Sequence, residues 1–85
     1  MRKNMPKAWT GAILKEVMRV TGTRQVGLAE KMGILQTAVS GMVNRRQISV
    51  NAFVKALNAM GYKLYVGRED GEDIEVHCEV IGNDE

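Results

Sequence analysis

The chain has 85 residues, of which 45% are hydrophobic, and its formal net charge is +2. This length suits a single domain with a modest core, and no apolar run approaches the roughly 18 residues that a membrane-spanning helix needs. A lone cysteine, Cys78, excludes an internal disulfide or a thiolate cluster, and no secretory signal pattern is present, so we expect a cytoplasmic protein without cofactors or a membrane partner.

The small net charge conceals two parts of opposite sign. Residues 1–61 carry ten Lys or Arg against two acids, which gives +8, and residues 62–85 carry two against eight, which gives −6. The basic part is suited to a polyanion, which would repel the acidic part. An unevenly charged but otherwise ordinary solvated surface is the alternative.

The chain begins with a basic arm, residues 1–7, which is followed by a first predicted helix at residues 8–20. Apolar residues recur there at the 3.6-residue period, and Thr21-Gly22 ends the pattern. The apolar face of this helix comprises Trp9, Ile13, Val17 and Val20.

Two shorter helices are predicted next. The second helix, residues 24–32, takes Thr23 as its N-cap and ends at Gly33, which offers the positive φ that stops helices. The third helix covers residues 36–43. The apolar residues of the pair are Val26, Leu28, Ala29 and Met32 in the second helix and Val39, Met42 and Val43 in the third.

A fourth helix is predicted at residues 50–60. Ser49 can cap its N-terminus, and Gly61 can end it. Its apolar residues follow the helical period closely, which predicts a buried face. They are Val50, Phe53, Val54, Leu57 and Met60.

From residue 62 the apolar period changes from 3.6 to 2. This pattern predicts a β-hairpin over residues 62–81, with its turn at residues 68–73 and a tail at residues 82–85. An isolated hairpin is only marginally stable, so its apolar face must cover the helices or pair with another copy of the chain. That face comprises Tyr62, Leu64, Val66, Ile74, Val76, Cys78 and Val80.

The apolar period breaks at Gly33 and restarts within three residues. Two helices that meet at such a short turn cross steeply, and they need a small residue at their closest approach, a glycine in the turn and spaced apolar residues. Counted from Gln25 as position 1, residues of these types fall where a helix-turn-helix requires them. They are Ala29 at position 5, Gly33 at 9, Ile34 at 10, Val39 at 15 and Met42 at 18.

This geometry leaves the polar face of the third helix free to enter a major groove of DNA. Glutamine can hydrogen-bond adenine N6 and N7 together, and threonine offers a hydroxyl and a methyl group to thymine. A merely solubilising face on an ordinary small bundle is the alternative. The polar face comprises Gln36, Thr37, Ser40, Gly41 and Asn44.

The segment QVGLAEKMGILQTAVSGMVN, residues 25–44, resembles the lambda-repressor and Cro-like helix-turn-helix family of phage and bacterial regulators. The resemblance covers residues 10–61 and does not include the hairpin. It implies a mostly α fold with a four-helix DNA-binding core. It also implies a transcriptional regulator and favours a repressor.

The resemblance further implies roles for single residues. Gln25 touches a phosphate and can brace Gln36, which reads a base edge, and Thr37 contacts a base or phosphate nearby. Leu35 stands where the family has a small or capping residue, and it either folds onto the core or touches a thymine methyl. The predicted DNA-contacting residues are Gln25, Gln36, Thr37, Ser40, Gly41, Asn44, Arg45, Arg46 and Gln47, with Arg2, Lys3 and Lys7 of the arm as further phosphate contacts.

Two classes of function remain open. The first is a homodimeric regulator that binds double-stranded DNA at a palindromic operator, with the acidic hairpin as its dimerisation element. The second is an antitoxin-like module whose C-terminal hairpin binds a partner protein. Catalysis is not expected, because His77 and a buried Cys78 would be strand neighbours that point to opposite faces.

Overall fold

The structure is a computed structural model that describes residues 9–78. Within that range the chain forms four helices followed by an antiparallel hairpin, which confirms the expected mostly α fold. The basic arm at residues 1–7 and the tail at residues 82–85 lie outside the described residues. In chain order the elements are α1 (Thr10–Thr21), α2 (Gln25–Met32), α3 (Gln36–Asn44), α4 (Val50–Ala59), β1 (Leu64–Gly67) and β2 (Asp73–Val76).

Most helix ends follow the local signals in the sequence. Gly22 and Gly33 end α1 and α2 with φ values of 70° and 71°, a left-handed conformation that glycine adopts without strain. Ser49 caps α4, because its Oγ accepts a hydrogen bond from the backbone N–H of Ala52 at 3.1 Å. These three predictions are confirmed.

The predicted N-cap of α2 is wrong. Arg24, in an extended conformation, is the N-cap, and its side chain makes no capping hydrogen bond. Thr23 therefore lies one residue too early to reach the free N–H groups of the first turn. Its hydroxyl instead lies 2.6 Å from the Thr21 hydroxyl, at the end of α1.

A single apolar cluster joins the four helices. Leu14, Leu28 and Val39 contribute one fully buried side chain each from α1, α2 and α3, and the buried Phe53 joins them from α4. Both α1 and α2 pack against α3 and α4, so the α2–α3 pair is supported from behind by the other two helices. Among residues 9–78, no helix is long and apolar enough to cross a membrane.

Three of the apolar residues predicted on the buried faces of the helices are exposed instead. Val20 is 51% exposed, Val26 47% and Val50 57%. At about 100° per residue, Val20 lies about 120° around α1 from the fully buried Leu14, and Val26 lies about 160° around α2 from the fully buried Leu28. Val50 is the first residue of α4, at the end of the apolar stripe.

The hairpin covers the helices only at its base. Leu64, partly buried against the core cluster, pairs with Val76 in the register of the two strands. Farther along, Val66 pairs with Ile74, and these two side chains are 61% and 59% exposed. Two alternatives were expected for the apolar face: it covers the helices, or it pairs with a second copy. For this outer pair the first alternative is wrong.

The second strand is shorter than predicted. β2 ends at Val76, so His77 and Cys78 follow the strand, while Val80 lies outside the described residues. Cys78 was expected to be buried but is only half-buried, because β2 ends before it reaches this residue. The side-chain amide of Asn58 lies 3.9 Å from its sulfur. No three His, Cys, Asp or Glu side chains of the described segment cluster as metal ligands.

Candidate nucleic-acid interface

The corner between α2 and α3 has the features that the residue spacing predicts. Ala29 is 4% exposed and Val39 fully buried, so the small side chain and the branched one lie where the two helices pack. At the turn, the backbone N–H of Ile34 donates to the Ala29 carbonyl at 3.0 Å, and Gly33 supplies the positive φ. The angle between the helices is thus fixed by both packing and backbone hydrogen bonds.

The face of α3 opposite this corner is polar and open to solvent. Gln36, Thr37 and Asn44 are exposed, and Ser40 and Gly41 are half-exposed. The Asn44 amide donates to the Ser40 hydroxyl at 3.3 Å, which aligns two of these groups along the helix. Within residues 9–78, the side chains of Gln36 and Thr37 make no hydrogen bond. Their polar atoms are therefore uncommitted.

The start of α2 lies next to α3 in the fold but is not bonded to it through side chains. Gln25, the first residue of α2, is half-buried, and no hydrogen bond joins it to Gln36 in the described part of the chain. The brace that the resemblance implies is thus absent from this structure. Both side-chain amides keep their hydrogen-bonding capacity.

Gly41 leaves open space on the outer face of α3. A β-carbon built there would meet no atom within 4 Å, so packing within the chain does not require a glycine. A glycine in a helix interior costs about 1 kcal/mol relative to alanine. A bare stretch of backbone at this position permits another molecule to approach the helix closely.

Leu35 precedes α3 and does not fold onto the core. It is 76% exposed, more than any other large hydrophobic residue of the described range. It is also the N-cap of α3 and offers no capping hydrogen bond. The first of the two alternatives for this residue, a core contact, is therefore wrong.

The segment between α3 and α4 presents three exposed polar residues, Arg45, Arg46 and Gln47. The Arg46 guanidinium carbon lies 4.0 Å from the centre of the Trp9 ring, which is within the range of a cation–π contact. Arg45 makes no ion pair with any residue in the described range. The two arginines, both predicted to contact phosphate, thus differ: the Arg46 guanidinium is stacked on a ring, and the Arg45 guanidinium is not.

The first turn of α1 holds this segment in place. The hydroxyl of Thr10 donates to the Ile48 carbonyl at 3.1 Å and lies 2.7 Å from the Ile48 backbone nitrogen, from which it accepts. The backbone N–H of Gly11 donates to the Arg46 carbonyl at 3.3 Å. Sequence reasoning missed these contacts. The available signal in the sequence was Gly11, because a glycine in the first turn of a helix is not required there by the backbone conformation.

The separation of charge along the sequence persists in the structure. In the hairpin, Arg68 pairs with Asp70 at 2.9 Å and with Glu72 at 3.1 Å, and Lys63 lies 3.4 Å from Glu75. The hairpin cations are thus neutralised by hairpin acids. Arg24 and Arg45, beside α2 and α3, have no ion-pair partner among the residues described.

Arg19 is an exception among the cations of the helices. It pairs with Glu16 on the same helix, with a shortest distance of 2.5 Å, and a second hydrogen bond of 3.1 Å joins the same two side chains. The hydrogen bond and then the charge of Glu16 raise the pKa of Arg19. This guanidinium is therefore engaged within the protein, unlike that of Arg45, which has no ion-pair partner among the described residues.

Comparison with known proteins adds no relative. No protein-family model, curated protein or solved structure matches the chain. A proposal on function therefore rests on the residues of α2 and α3 and on their surroundings.

Proposed function

We propose that the protein is a sequence-specific DNA-binding transcriptional regulator, acting as a repressor and as a homodimer. In this proposal α3 lies in the major groove of double-stranded DNA. The observation that carries it is the outer face of α3, where uncommitted polar side chains and a bare glycine project from a rigid two-helix corner. A rigid platform of this kind is what a short recognition helix needs.

We assign base readout to the exposed start of α3. The Gln36 amide can donate to and accept from one adenine edge, and Thr37 can contact the next base or a phosphate. A good bidentate base contact discriminates by about 1–3 kcal/mol. Gly41 and the aligned pair of Ser40 and Asn44 extend the contact along the helix.

We assign phosphate binding to the N-terminal ends of α2 and α3 and to the segment that follows α3. Neither α2 nor α3 has a side-chain cap, so the free N–H groups of their first turns remain available to anions. Arg24 and Arg45 bring positive charge to these ends, and Gln25 and Gln47 add hydrogen-bond donors. These contacts supply affinity that does not depend on sequence and that falls as salt increases.

We assign dimerisation to the hairpin. The exposed pair of Val66 and Ile74 is an apolar surface on a sheet with only two strands. We assign the contact to a second copy through the outer edge of β1, because β1 contains no acid, whereas β2 contains Asp73 and Glu75 and would repel its own copy. Two-fold symmetry then sets two recognition helices about 34 Å apart.

A second candidate function uses the same hairpin surface. The exposure of Val66 and Ile74 also fits an antitoxin-like module that holds a different protein through this pair. The purified chain separates the two candidates. If the chain alone dimerises and binds DNA, the result supports the regulator. If it stays monomeric and binds no duplex, the result supports the module.

Selection of binding sites from a random duplex pool by the intact chain tests the regulator. We expect enrichment of a two-fold symmetric site, with half-sites about one helical turn apart. Gln36→Ala should relax the preference at one position in each half-site. Asn58→Ala, which truncates an exposed amide on α4, is the matched control and should select the wild-type site. Failure to enrich any site at low salt would refute the proposal.

A further inference from the structure

The start of α1 and the segment that follows α3 form one connected unit. Thr10 bonds both backbone groups of Ile48, and the N–H of Gly11 donates to the Arg46 carbonyl. These hydrogen bonds join two parts of the chain that are far apart in sequence. The backbone that carries Arg45 and Arg46 therefore has little freedom to move relative to α1.

Close backbone contact reinforces this connection. A β-carbon on Gly11 would overlap the carbonyl oxygen of Arg45, and it would also lie 3.3 Å from the Met42 carbonyl oxygen. Only glycine fits this position without a shift of the last turn of α3. This close approach holds the backbone at Arg45 and Arg46 against the first turn of α1.

Trp9 then fixes the side chain of Arg46. The guanidinium lies over the Trp9 ring, with 4.0 Å between its central carbon and the ring centre, while Arg46 as a whole remains exposed. A guanidinium that is stacked on a ring uses its planar face and leaves its N–H edge free. Within residues 9–78, no carboxylate or other hydrogen-bond acceptor occupies that edge.

We infer that Trp9 is a positioning residue for DNA phosphate, which it serves by holding Arg46 in place beside the end of α3. The inference rests on the proposed function and adds a residue outside the helix-turn-helix. A free arginine side chain loses rotamer freedom when it binds a phosphate, whereas a stacked one has already lost it. The N–H edge of the guanidinium matches two phosphate oxygens at once.

A double-mutant cycle on the full chain tests this inference. The variants are Trp9→Leu, Trp9→Phe, Arg46→Gln and the double variant Trp9→Leu/Arg46→Gln, each titrated with the selected duplex by fluorescence anisotropy. We expect Trp9→Leu to weaken binding about two- to tenfold, the cost of immobilising one long side chain on binding, and Trp9→Phe to recover most of it. The double variant should bind no more weakly than Arg46→Gln alone.

Additive losses in the double variant would overturn the inference, because Trp9 would then act independently of Arg46. Thermal unfolding of each variant checks that the fold is retained. If Trp9→Leu does not fold, the emission of Trp9, the single tryptophan of the chain, replaces it as the readout. Duplex should change this emission in the wild-type chain and much less in Arg46→Gln, and equal changes in both would overturn the inference.

The same titrations separate this inference from the proposed function. A wild-type chain that binds no duplex refutes both. A wild-type chain that binds a selected site with additive Trp9 and Arg46 effects refutes only the role of Trp9. The slope of log affinity against log salt gives a further check, because Arg46→Gln should reduce its magnitude by about 0.9, the value for one phosphate contact.

Discussion

Val66 and Ile74 face each other across the hairpin, and each leaves more than half of its side chain in water, at 61% and 59% exposure. A small two-stranded sheet gains little stability from such a pair when nothing covers it. Pairing of the β1 edge with a second copy would extend the sheet, cover part of Val66 and give the protein the symmetry that a palindromic site requires.

Replacing Val66 by lysine should therefore convert the proposed dimer to a monomer. A buried ammonium group without a partner would oppose the contact between copies. The matched control is Val20→Lys, which places the same charge at a 51% exposed valine on α1. Sedimentation equilibrium should give a monomer for Val66→Lys and a dimer for Val20→Lys. A dimer in both variants would place the contact elsewhere on the chain.

Gly11→Ala should destabilise the protein by about 1–3 kcal/mol, the usual cost of overpacking. The added β-carbon would overlap the carbonyl oxygen of Arg45, a backbone atom that cannot rotate away. Chemical denaturation gives the free energy of unfolding. A stability equal to that of the wild type would mean that α1 and the end of α3 are farther apart than described.

Gly41→Ala should have the opposite effect on stability and should weaken DNA binding. Its β-carbon meets nothing in the chain, so the variant should gain about 0.4–1 kcal/mol from the lower entropy of its unfolded state. In the complex, the same methyl group would keep α3 away from the groove. Denaturation and duplex titration measure the two effects.

Gly27→Ala is the control for Gly41→Ala. This glycine lies in α2, has equally open surroundings, and is not among the predicted DNA contacts. It should gain comparable stability and keep its affinity for the selected duplex. Unchanged affinity in Gly41→Ala as well would mean that α3 does not approach DNA at this position.

The helix caps offer a paired stability test. Ser49→Ala should cost about 1 kcal/mol, because the Ala52 N–H loses its acceptor. Leu35→Ser should gain a similar amount, because Leu35 has the extended conformation of an N-cap but no side chain that can accept a hydrogen bond. The free energies of unfolding should move in opposite directions. A loss of stability in Leu35→Ser would mean that its side chain packs within the protein.

Elements that depend on neighbours in sequence were predictable. The left-handed Gly22 and Gly33, the Ser49 cap and the presence of a hairpin follow from turn chemistry, capping and alternation. The buried positions of Ala29 and Val39 follow from the fixed spacing of a helix-turn-helix. Each of these signals lies within a few residues of the feature that it determines or in a motif of constant length.

Contacts between distant parts of the chain were not predictable. Neither the close approach of Gly11 to the Arg45 carbonyl nor the stack of Arg46 on Trp9 leaves a periodic mark in the sequence. Trp9 was assigned to the apolar face of the first helix, and its partner was assigned to phosphate. The true pairing depends on how α1 crosses the end of α3, which only the packed structure specifies.

The ratio of affinities for a selected duplex and a scrambled one tests the central claim most directly. The wild-type chain should bind the selected duplex far more tightly, and Gln36→Ala should reduce the ratio by about fivefold or more, since each base contact is worth about 1–3 kcal/mol. Asn58→Ala should leave the ratio unchanged. A wild-type ratio near one, or a ratio that Gln36→Ala does not alter, would contradict base readout by α3.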